Sequence, residues 1–323
     1  MQFESFAADT EIPNRSVTTV WNLKAETAAR VMNKEFARIV VQGGFVTGKF
    51  GVLFNGSIKN VKRGRSENSV DTYIRIYAAD GDAFHNSYVV GNGDGLEFQR
   101  NSTNQDRLRG YVADAIKNGG GLVSGEIQQI VGNAGVLPRG AVRYGLGSQV
   151  GNTTAGPLYQ FSVDKGALNF RKLDTPSPGE VVLLNAHSGL IGVPEADESA
   201  VHVKCLLNPA IKIKSRIQIN NGNINTSEPV VSPTQIQQLG YPNYTGINLF
   251  ANTDDDGIYM VLTITYDLDT RGVPWYNKMA CLLLDRGTGK LSPTTAPTQQ
   301  TLEEAFDKAR NSGQAVEFPV SAS

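Results

Sequence analysis

The sequence predicts a mainly β protein with an α/β middle segment. Several segments alternate apolar and polar residues with a period of two, Asn-Gly and Asp-Gly pairs bound them, and few segments have helical spacing. A period of two is typical of a strand with one buried face, and these glycine pairs are typical of hairpin turns. We therefore expect the elements to form mostly antiparallel sheet.

The clearest alternating segment runs from Val70 to Ala78. The face expected to be buried contains Val70, Thr72, Ile74, Ile76 and Ala78, and the polar face contains Asp71, Tyr73, Arg75 and Tyr77. The segments from Ile258 to Leu268 and from Arg216 to Asn220 repeat this alternation. All three are predicted to be half-buried strands.

Turn dipeptides lie near these segments. Asn55-Gly56, Asn221-Gly222 and Asp256-Gly257 are expected in hairpin turns or bulges, because these pairs tolerate the positive φ angles that such turns need.

Helical spacing occurs in three segments. The longest has an apolar stripe behind a Thr103 to Asp106 capping pair, made of Leu108, Tyr111, Val112, Ala115 and Ile116. Leu23 to Met32 is a shorter candidate helix. The third lies near the end of the chain, where an amphipathic stripe is formed by Leu302, Ala305, Phe306 and Ala309. A Pro/Thr-rich stretch from Ser292 to Gln300 precedes it and is typical of an extended linker.

These elements suggest four parts of the chain. We predict a first β domain over residues 1–80, a mixed α/β middle domain over 81–180, a second β domain over 181–290, and a linker with an amphipathic tail over 291–323.

Composition and charge limit the classes of function. The 323 residues carry 30 basic and 31 acidic side chains, a net charge of −1, so no overall field would hold the chain on nucleic acid or anionic lipid. No apolar run is long enough for a membrane anchor, and the N-terminus does not resemble an export signal. We therefore expect a soluble protein. Cys205 and Cys281 lie in apolar runs and are expected to be buried free thiols.

One segment imitates a phosphate-binding loop. Gly43 to Lys49 has the glycine and lysine spacing of that motif, but Phe50 stands where a Ser or Thr hydroxyl must bind Mg²⁺. The segment also leads into an apolar run typical of a strand, so no helix N-terminus would face a phosphate. We expect no nucleotide to bind here.

The remaining residue types give no catalytic or metal-binding set. The three histidines (His85, His187 and His202) and the two cysteines lack the spacing of a zinc site. Asp254-Asp255-Asp256-Gly257 lacks the alternating ligands of a calcium loop and is expected to cap a hairpin. We therefore predict that the chain is not an enzyme and that it has no cofactor and no metal.

A basic cluster precedes the Val70 segment and consists of Lys59, Lys62, Arg63 and Arg65. A solvated hairpin end explains such a cluster, and a surface lining a DNA passage is the alternative. The cluster lacks interleaved aromatic residues in the sequence, so it is a weak nucleic-acid signal.

The order of short motifs along most of the chain resembles the baseplate hub proteins of contractile-tailed bacteriophages. The motifs are Thr18 to Leu23, Gly43-Gly44-Phe45, Phe54 to Ile58, Asp71 to Asp82, Gly189 to Pro194, Leu206 to Pro209, Asp256 to Tyr259, Asp269 to Gly272, and Trp275-Tyr276. Two departures are Gly43 in place of Ala, and Lys212 to Ser215 where a Gly-containing turn is expected. The tail after Leu284 lies outside the resemblance.

The resemblance marks a set of structural positions at strand ends and turns. They are Asn22, Leu23, Gly44, Phe54, Gly56, Asp80, Gly81, Gly189, Gly192, Pro194, Asn208, Pro209, Gly257, Asp269, Arg271 and Trp275.

The resemblance implies two tail-tube-like β-barrel domains in each chain and a homotrimer. It also implies three kinds of partner: the tail tube protein, the central spike protein, and other baseplate or tape-measure components. DNA would pass an axial channel without specific binding, and the protein would be part of the virion tail baseplate after assembly in the host cytoplasm.

Two alternatives stay open. A β-rich receptor-binding tail protein would fit the low charge and the Gly/Asn/Thr-rich loops. A hub-associated cell-wall hydrolase would need a general-acid carboxylate in a cleft, and the sequence offers no candidate pair.

Overall fold

The computed structural model describes residues 1–9, 12–46, 48–67, 70–82, 112–113, 116–117, 122–128, 159–196, 200–220, 224–226, 257–285 and 287–291. The chain divides into two compact units. Unit 1 contains Met1–Leu173 and Asp267–Pro274, and unit 2 contains Asp174–Tyr266 and the strand that begins at Trp275. The mainly β class is confirmed, and the finer domain boundaries stay a prediction.

Unit 1 contains a five-stranded antiparallel sheet and one helix. The elements are β1 (Gln2–Ala8), β2 (Arg15–Trp21), α1 (Ala25–Met32), β3 (Arg38–Gly44), β4 (Phe50–Arg65) and β5 (Thr72–Ala79). The strands pair in the order β1-β2-β5-β4-β3. Sequence neighbours β1 and β2, β3 and β4, and β4 and β5 pair directly, as hairpin connections allow.

Helix α1 covers one face of this sheet. Its Ala28 packs against Ile74 and Ile76 of β5, and partly buried apolar residues surround them: Leu23, Val31, Ile39, Ile58 and Val61. The helix predicted over Leu23 to Met32 is confirmed and begins two residues later, at Ala25.

The alternation predicted from Val70 to Ala78 is correct for part of the segment. Ile74, Ile76 and Ala78 are buried as expected. The prediction that Val70 is buried is wrong, because its side chain is 83% exposed. The β4–β5 turn closes with a hydrogen bond from Ser66 N to Asp71 O (2.8 Å), and Val70 lies in that turn. Tyr77, predicted on the polar face, is also buried.

Asn55-Gly56 does not form a turn, so the sequence prediction is wrong there. Both residues lie inside β4, a strand of 16 residues. A Cβ on Gly56 would lie 2.5 Å from the Ala79 carbonyl oxygen and 2.7 Å from Cζ of Phe54. The glycine is therefore needed for a close approach between β4 and β5.

Replacing Gly56 by Ala is expected to lower the free energy of unfolding by roughly 1–3 kcal/mol, because the added methyl group meets backbone of β5 that cannot move without breaking the ladder. Urea unfolding followed by circular dichroism measures the change. Gly287→Ala is the matched control, since its nearest neighbour is Asp285 Oδ1 at 3.4 Å, an ordinary contact. Equal effects of the two substitutions would contradict the packing argument.

The described part of the predicted middle segment forms a second, smaller sheet in unit 1. Its strands are β6 (Val123–Ile127), β7 (Tyr159–Asp164) and β8 (Ala167–Lys172). β8 lies between the other two, parallel to β6 and antiparallel to β7. Lys165 and Gly166, with φ of 55° and 80°, make the two-residue turn between β7 and β8. Of the predicted Leu108 to Ile116 helix, the described residues 112–113 and 116 are helical, and the others lie outside the described residues.

Unit 2 is built around two long strands. Its elements are β9 (Val182–Leu183), β10 (Glu195–Ala196), β11 (Val201–Leu206), β12 (Arg216–Ile219), β13 (Asn225–Thr226), β14 (Gly257–Asp269, up to Tyr266 in this unit) and β15 (Trp275–Leu283). The order is β13-β10-β11-β15-β14, and β12 pairs with both β14 and β9. The Asn221-Gly222 and Asp254 to Asp256 turns lie outside the described residues.

β14 is buried on both faces over its first half, which corrects the prediction of a half-buried strand. Tyr259, Met260 and Val261 are all inaccessible to solvent. The alternation in the sequence reports polarity only, and Tyr259 and Val261 bring an apolar ring and an aliphatic side chain to the face that was expected to be polar. Residues 216–219 of β12, in contrast, keep Ile217 and Ile219 buried as predicted.

Both thiols are buried, as the sequence predicted. Burial raises the pKa of Cys205 to about 12 and raises the pKa of Cys281 as well. Burial therefore disfavours the thiolate, the nucleophilic form, at both cysteines.

The turn over Lys212 to Ser215 has a residue with positive φ although it contains no glycine. Lys214 has φ of 64° and is 1% exposed. Its Nζ donates to the Thr175 carbonyl oxygen at 3.2 Å. Lys214 thus occupies the conformation for which a glycine was expected.

Candidate functional site

The phosphate-loop-like segment is a β-hairpin. Gly43 and Gly44 end β3 and Phe50 begins β4, with Gly48 N donating to Phe45 O at 3.1 Å in the turn. The strand predicted after Lys49 is confirmed. The hairpin needs a glycine at position 44, because a Cβ there would lie 2.3 Å from the Lys49 carbonyl oxygen.

Potential metal ligands do not converge in the described part of the chain. His187 lies in an exposed turn, where its backbone N–H donates to Asn185 Oδ1 at 2.9 Å. His202 lies on β11. No group of three or more His, Cys, Asp or Glu side chains in the described ranges is placed to hold a metal ion. His85 lies outside those ranges. No helix in the same ranges has the length and apolar character to cross a membrane.

The first structural positions join β2 to β5. Asn22 has φ of 54°. Its side chain donates to Asp71 Oδ1 at 2.6 Å and accepts from Thr72 N at 3.0 Å. Leu23 follows and packs in the cluster beneath α1. The motif therefore ends one strand, starts the helix and fixes the beginning of the neighbouring strand.

Phe54, together with Gly56, lies in the middle of β4. Phe54 is 3% exposed. It opposes Val41 on β3. Asn55, between them, accepts from Arg38 Nε at 2.7 Å and donates to the Lys165 carbonyl oxygen at 3.2 Å. This part of the motif connects the large sheet to the β7–β8 turn.

Asp80 and Gly81 connect the end of β5 to the same turn. Both carboxylate oxygens of Asp80 accept from Gly166 N at 3.1 Å. Gly81 has φ of 65°, and a Cβ there would lie 2.7 Å from Val163. Asn14 makes a further contact with β7, because its Nδ2 donates to the Val163 carbonyl oxygen at 2.8 Å.

The buried carboxyl of Asp80 is electrostatically unusual. Burial, and secondly the negative charge of Asp164, raise the pKa of Asp80 to about 7, against the lowering effect of backbone N–H groups from Gly166, Lys165 and Gly81. Burial also lowers the pKa of Lys165. In an enzyme such a group would be a candidate acid or base. Here the described hydrogen-bond partners of the Asp80 carboxyl are backbone N–H groups of the β7–β8 turn. We therefore assign this carboxyl a structural role.

A second buried polar cluster was not found from the sequence. Arg171 on β8 donates from Nη2 to Asp9 Oδ1 at 2.9 Å, and Ser162 Oγ donates to the same carboxylate oxygen. Arg171 Nη1 lies 3.9 Å from Glu126 Oε2. Asp9 and Arg171 are 162 residues apart in the chain, and neither belongs to a recognisable motif, so no sequence signal pairs them.

In unit 2 the structural positions also stand at turns and strand ends. Gly189 and Gly192 have φ of 104° and 72°. Leu206 N donates to Gly189 O at 2.8 Å and Leu207 N donates to Trp275 O at 2.9 Å. Pro194 and Pro209 are buried.

The remaining positions in unit 2 tie the long strands together. Asn277 on β15 donates from Nδ2 to the Asn208 carbonyl oxygen at 3.0 Å. Gly257 and Trp275 are the first residues of β14 and β15. The described positions of unit 2 therefore lie at turns, strand starts and hydrogen bonds between neighbouring segments.

Asp269 and Arg271 lie in the segment that belongs to unit 1. Asp269 Oδ1 accepts from Arg271 N at 2.9 Å, and Oδ2 accepts from Gln2 Nε2 at 3.1 Å. These hydrogen bonds lower the pKa of Asp269. The N-terminal amino group of Met1 donates to Thr270 Oγ1 at 2.7 Å.

An open cavity of about 500 Å³ lies on this face of unit 1. Among the side chains that line it are Glu4, Asp267 and Asp269 on one side and Arg75 and Tyr77 on the other. The lining is charged on both sides, and it lacks the mostly apolar wall typical of a small-molecule pocket.

The basic cluster does not form a single patch. Lys62 opposes Arg75 on β5, whereas Arg63 and Arg65 oppose Ile74 and Thr72 and so point to the opposite face of the sheet. The fold supplies the aromatic residues that the sequence of the cluster lacks. Lys62 Nζ lies 5.7 Å from the ring centroid of Tyr77, and the Arg75 guanidinium lies 5.4 Å from that of Tyr73.

Lys59 differs from the other three cations of the cluster. It pairs with Asp82 at 2.6 Å. The cluster is therefore a charged length of the β4 edge with cations on both faces.

The fold and these positions define a mainly β protein whose described functional positions are turns, strand ends and one charged strand edge. No protein-family model matches the sequence, and no curated protein matches it.

Several solved structures are similar in fold. One is the E. coli c3393 protein, a component of the type VI secretion system described as structurally similar to the T4 bacteriophage tail proteins gp27 and gp5; it is 8% identical over 92% of this chain and 76% of that chain, with a TM-score of 0.48. Another is a tail protein from Neisseria meningitidis, 8% identical over 91% of this chain and 94% of that chain, with a TM-score of 0.45. A third is the 43 kDa tail protein of prophage MuSo2 from Shewanella oneidensis, 7% identical over 90% of this chain and 94% of that chain, with a TM-score of 0.42.

Proposed function

We propose that this chain is a structural protein of a phage tail baseplate, and specifically the hub of a contractile tail. In this proposal three copies form a ring that adapts the sixfold tail tube to the threefold central spike. The observation that carries the proposal is the order of hub-like motifs along the chain. Most of the described motif positions lie at turns or strand ends, and Phe54 and Gly56 lie inside β4.

The two units give the proposal a physical basis. Each unit contains its own antiparallel strands and its own motif positions. If each unit is a tube-like barrel, three chains present six similar docking surfaces to a sixfold tube, and heterologous contacts that close after three subunits leave a hole on the axis. A homohexamer would need only one such unit per chain.

The proposed partners are those that the resemblance to the hub family implies. They are the tail tube protein on one side of the ring, the central spike protein on the other, and further baseplate or tape-measure components. DNA passes the channel without specific binding, and the protein has no catalytic role. The tail with Leu302, Ala305, Phe306 and Ala309, which lies outside the described residues, is proposed to dock on one of these partners.

Light scattering of the purified full chain and electron-microscope class averages test the proposal. We expect a mass of about three times 34.8 kDa, threefold class averages, and rings of tail tube protein stacked on one face after mixing. Stable dimers or sixfold rings would contradict the hub. Trimers that never bind tube protein would favour the receptor-binding alternative.

A further inference from the structure

The outer edge of β4 is open over its second half. β3 pairs with β4 only from Phe50 to Ser57, and β5 pairs with the rest, from Ser57 to Arg65. Among the strands that the structure describes, none pairs with the other side of residues 60–65. This stretch is therefore an edge strand, and such an edge can accept an added strand.

The register shows which backbone groups face outward. Ser66 N donates to Asp71 O at 2.8 Å, and hydrogen-bonded pairs alternate along an antiparallel ladder. Gly64 and Lys62 therefore bond to β5, while the N–H and C=O groups of Val61, Arg63 and Arg65 point away from it. Thr72, opposite Arg65, agrees with this assignment, because its backbone groups bond to Asn22 instead.

One of these outward groups is already bonded. The N–H of Val61 donates to the side-chain oxygen of Asn60 at 2.8 Å. The edge thus presents two N–H donors, from Arg63 and Arg65, and three C=O acceptors. This alternating set is complementary to the backbone of another strand.

The side chains of this edge are cations on both faces. Lys62, Arg63, Arg65 and Arg75 are exposed, and in the described part of the chain none of them forms an ion pair. Lys62 lies directly opposite Arg75, and like charges across a ladder are destabilising. An anionic partner would remove this repulsion.

We propose that the edge of β4 from Val61 to Arg65 binds an extended acidic segment of a partner protein as an added strand. Successive acidic side chains of that strand would reach Lys62 on one face and Arg63 and Arg65 on the other. Three outward carbonyl groups favour a peptide over DNA, because phosphate oxygens cannot donate to them. This inference is independent of the hub proposal, since it rests on β4 and β5 alone.

The first test uses the full chain and a fluorescein-labelled peptide of sequence Thr-Glu-Glu-Thr-Glu-Glu-Thr, with Gln in place of Glu as the neutral probe. Fluorescence anisotropy at low salt should detect binding of the acidic peptide and not of the neutral one. Arg63→Gln with Arg65→Gln should weaken binding about tenfold, from the loss of two cross-strand ion pairs. Lys24→Gln with Lys49→Gln removes the same charge from exposed sites elsewhere in unit 1 and should leave binding unchanged.

A second variant separates backbone pairing from charge. Arg63→Pro removes an outward N–H and no ladder bond to β5, so it should weaken binding more than Arg63→Gln does, provided that urea unfolding shows both variants folded. Wild-type protein that does not bind the acidic peptide, or equal losses in the control pair, would overturn the proposal. Tighter binding of a short DNA oligonucleotide at the same edge would overturn it in favour of nucleic acid.

Discussion

Replacing Arg171 by Met is expected to lower the free energy of unfolding by roughly 3–5 kcal/mol, because the substitution leaves the Asp9 carboxylate buried without its cation. The two side chains are each 6% exposed and lie 2.9 Å apart, from Nη2 to Oδ1. Met fills most of the space of the Arg stem, so the loss reports the charge and its hydrogen bonds more than a cavity. Urea unfolding at pH 7 measures it.

The double variant Asp9→Asn with Arg171→Met is the control. It removes both charges, and pairs replaced together by neutral groups cost far less than a broken pair. We expect the double variant to recover most of the stability that Arg171→Met loses. A double variant as unstable as the sum of the two single variants would show that the ion pair itself is not the source of the effect.

The contribution of Asp80 to the stability of the protein is expected to fall as the pH rises from about 4 through about 7, as its carboxyl titrates. The pKa of Asp80 is raised from 3.8 to about 7 in the folded protein. Between these values the folded state holds a proton that the unfolded state has released, so each step up in pH favours unfolding. At a pH well above 7 both states are ionised and the contribution is constant.

The variant Asp80→Asn lacks this titration. Its free energy of unfolding relative to wild type should rise as the pH increases from 4 through 7, by a total on the order of a few kcal/mol, and level off at a pH well above 7. The comparison uses the change with pH, so a constant offset from the altered hydrogen bonds to Gly166 does not matter. Guanidinium unfolding at closely spaced pH values measures the difference.

Asp285→Asn is the matched control for this experiment. Hydrogen bonds from Thr288 lower the pKa of the Asp285 carboxyl, so this group stabilises the folded state above its unfolded pKa and loses that contribution as the pH falls. Its difference from wild type should therefore change only in acid. A difference between Asp80→Asn and wild type that is flat from pH 4 to pH 8 would contradict the raised pKa.

Local pattern determined some of the strands and helix α1. The period-two residues of β5 and β12, and the stripe of α1, follow from side-chain geometry within one element. The strand that follows Lys49 was also predictable from its apolar run.

Only the tertiary structure decided which residues meet across the chain. Asn55-Gly56 has the composition of a turn, yet it lies inside β4, where Gly56 packs closely against Ala79 of the neighbouring strand. Val70 has an apolar side chain, but the turn places it outside the strand.

The basic cluster shows the same difference in the candidate interaction surface. Its four cations lie within seven residues of the sequence. Strand alternation places Lys62 on one face of the sheet and Arg63 on the other. Arg75 and the tyrosines of β5 then join Lys62 from a segment ten or more residues away. The Asp9–Arg171 pair has no sequence signal at all. A sequence encodes the periodicity of each element, whereas charge pairing and burial depend on distances that exist only after strands far apart in the chain have paired.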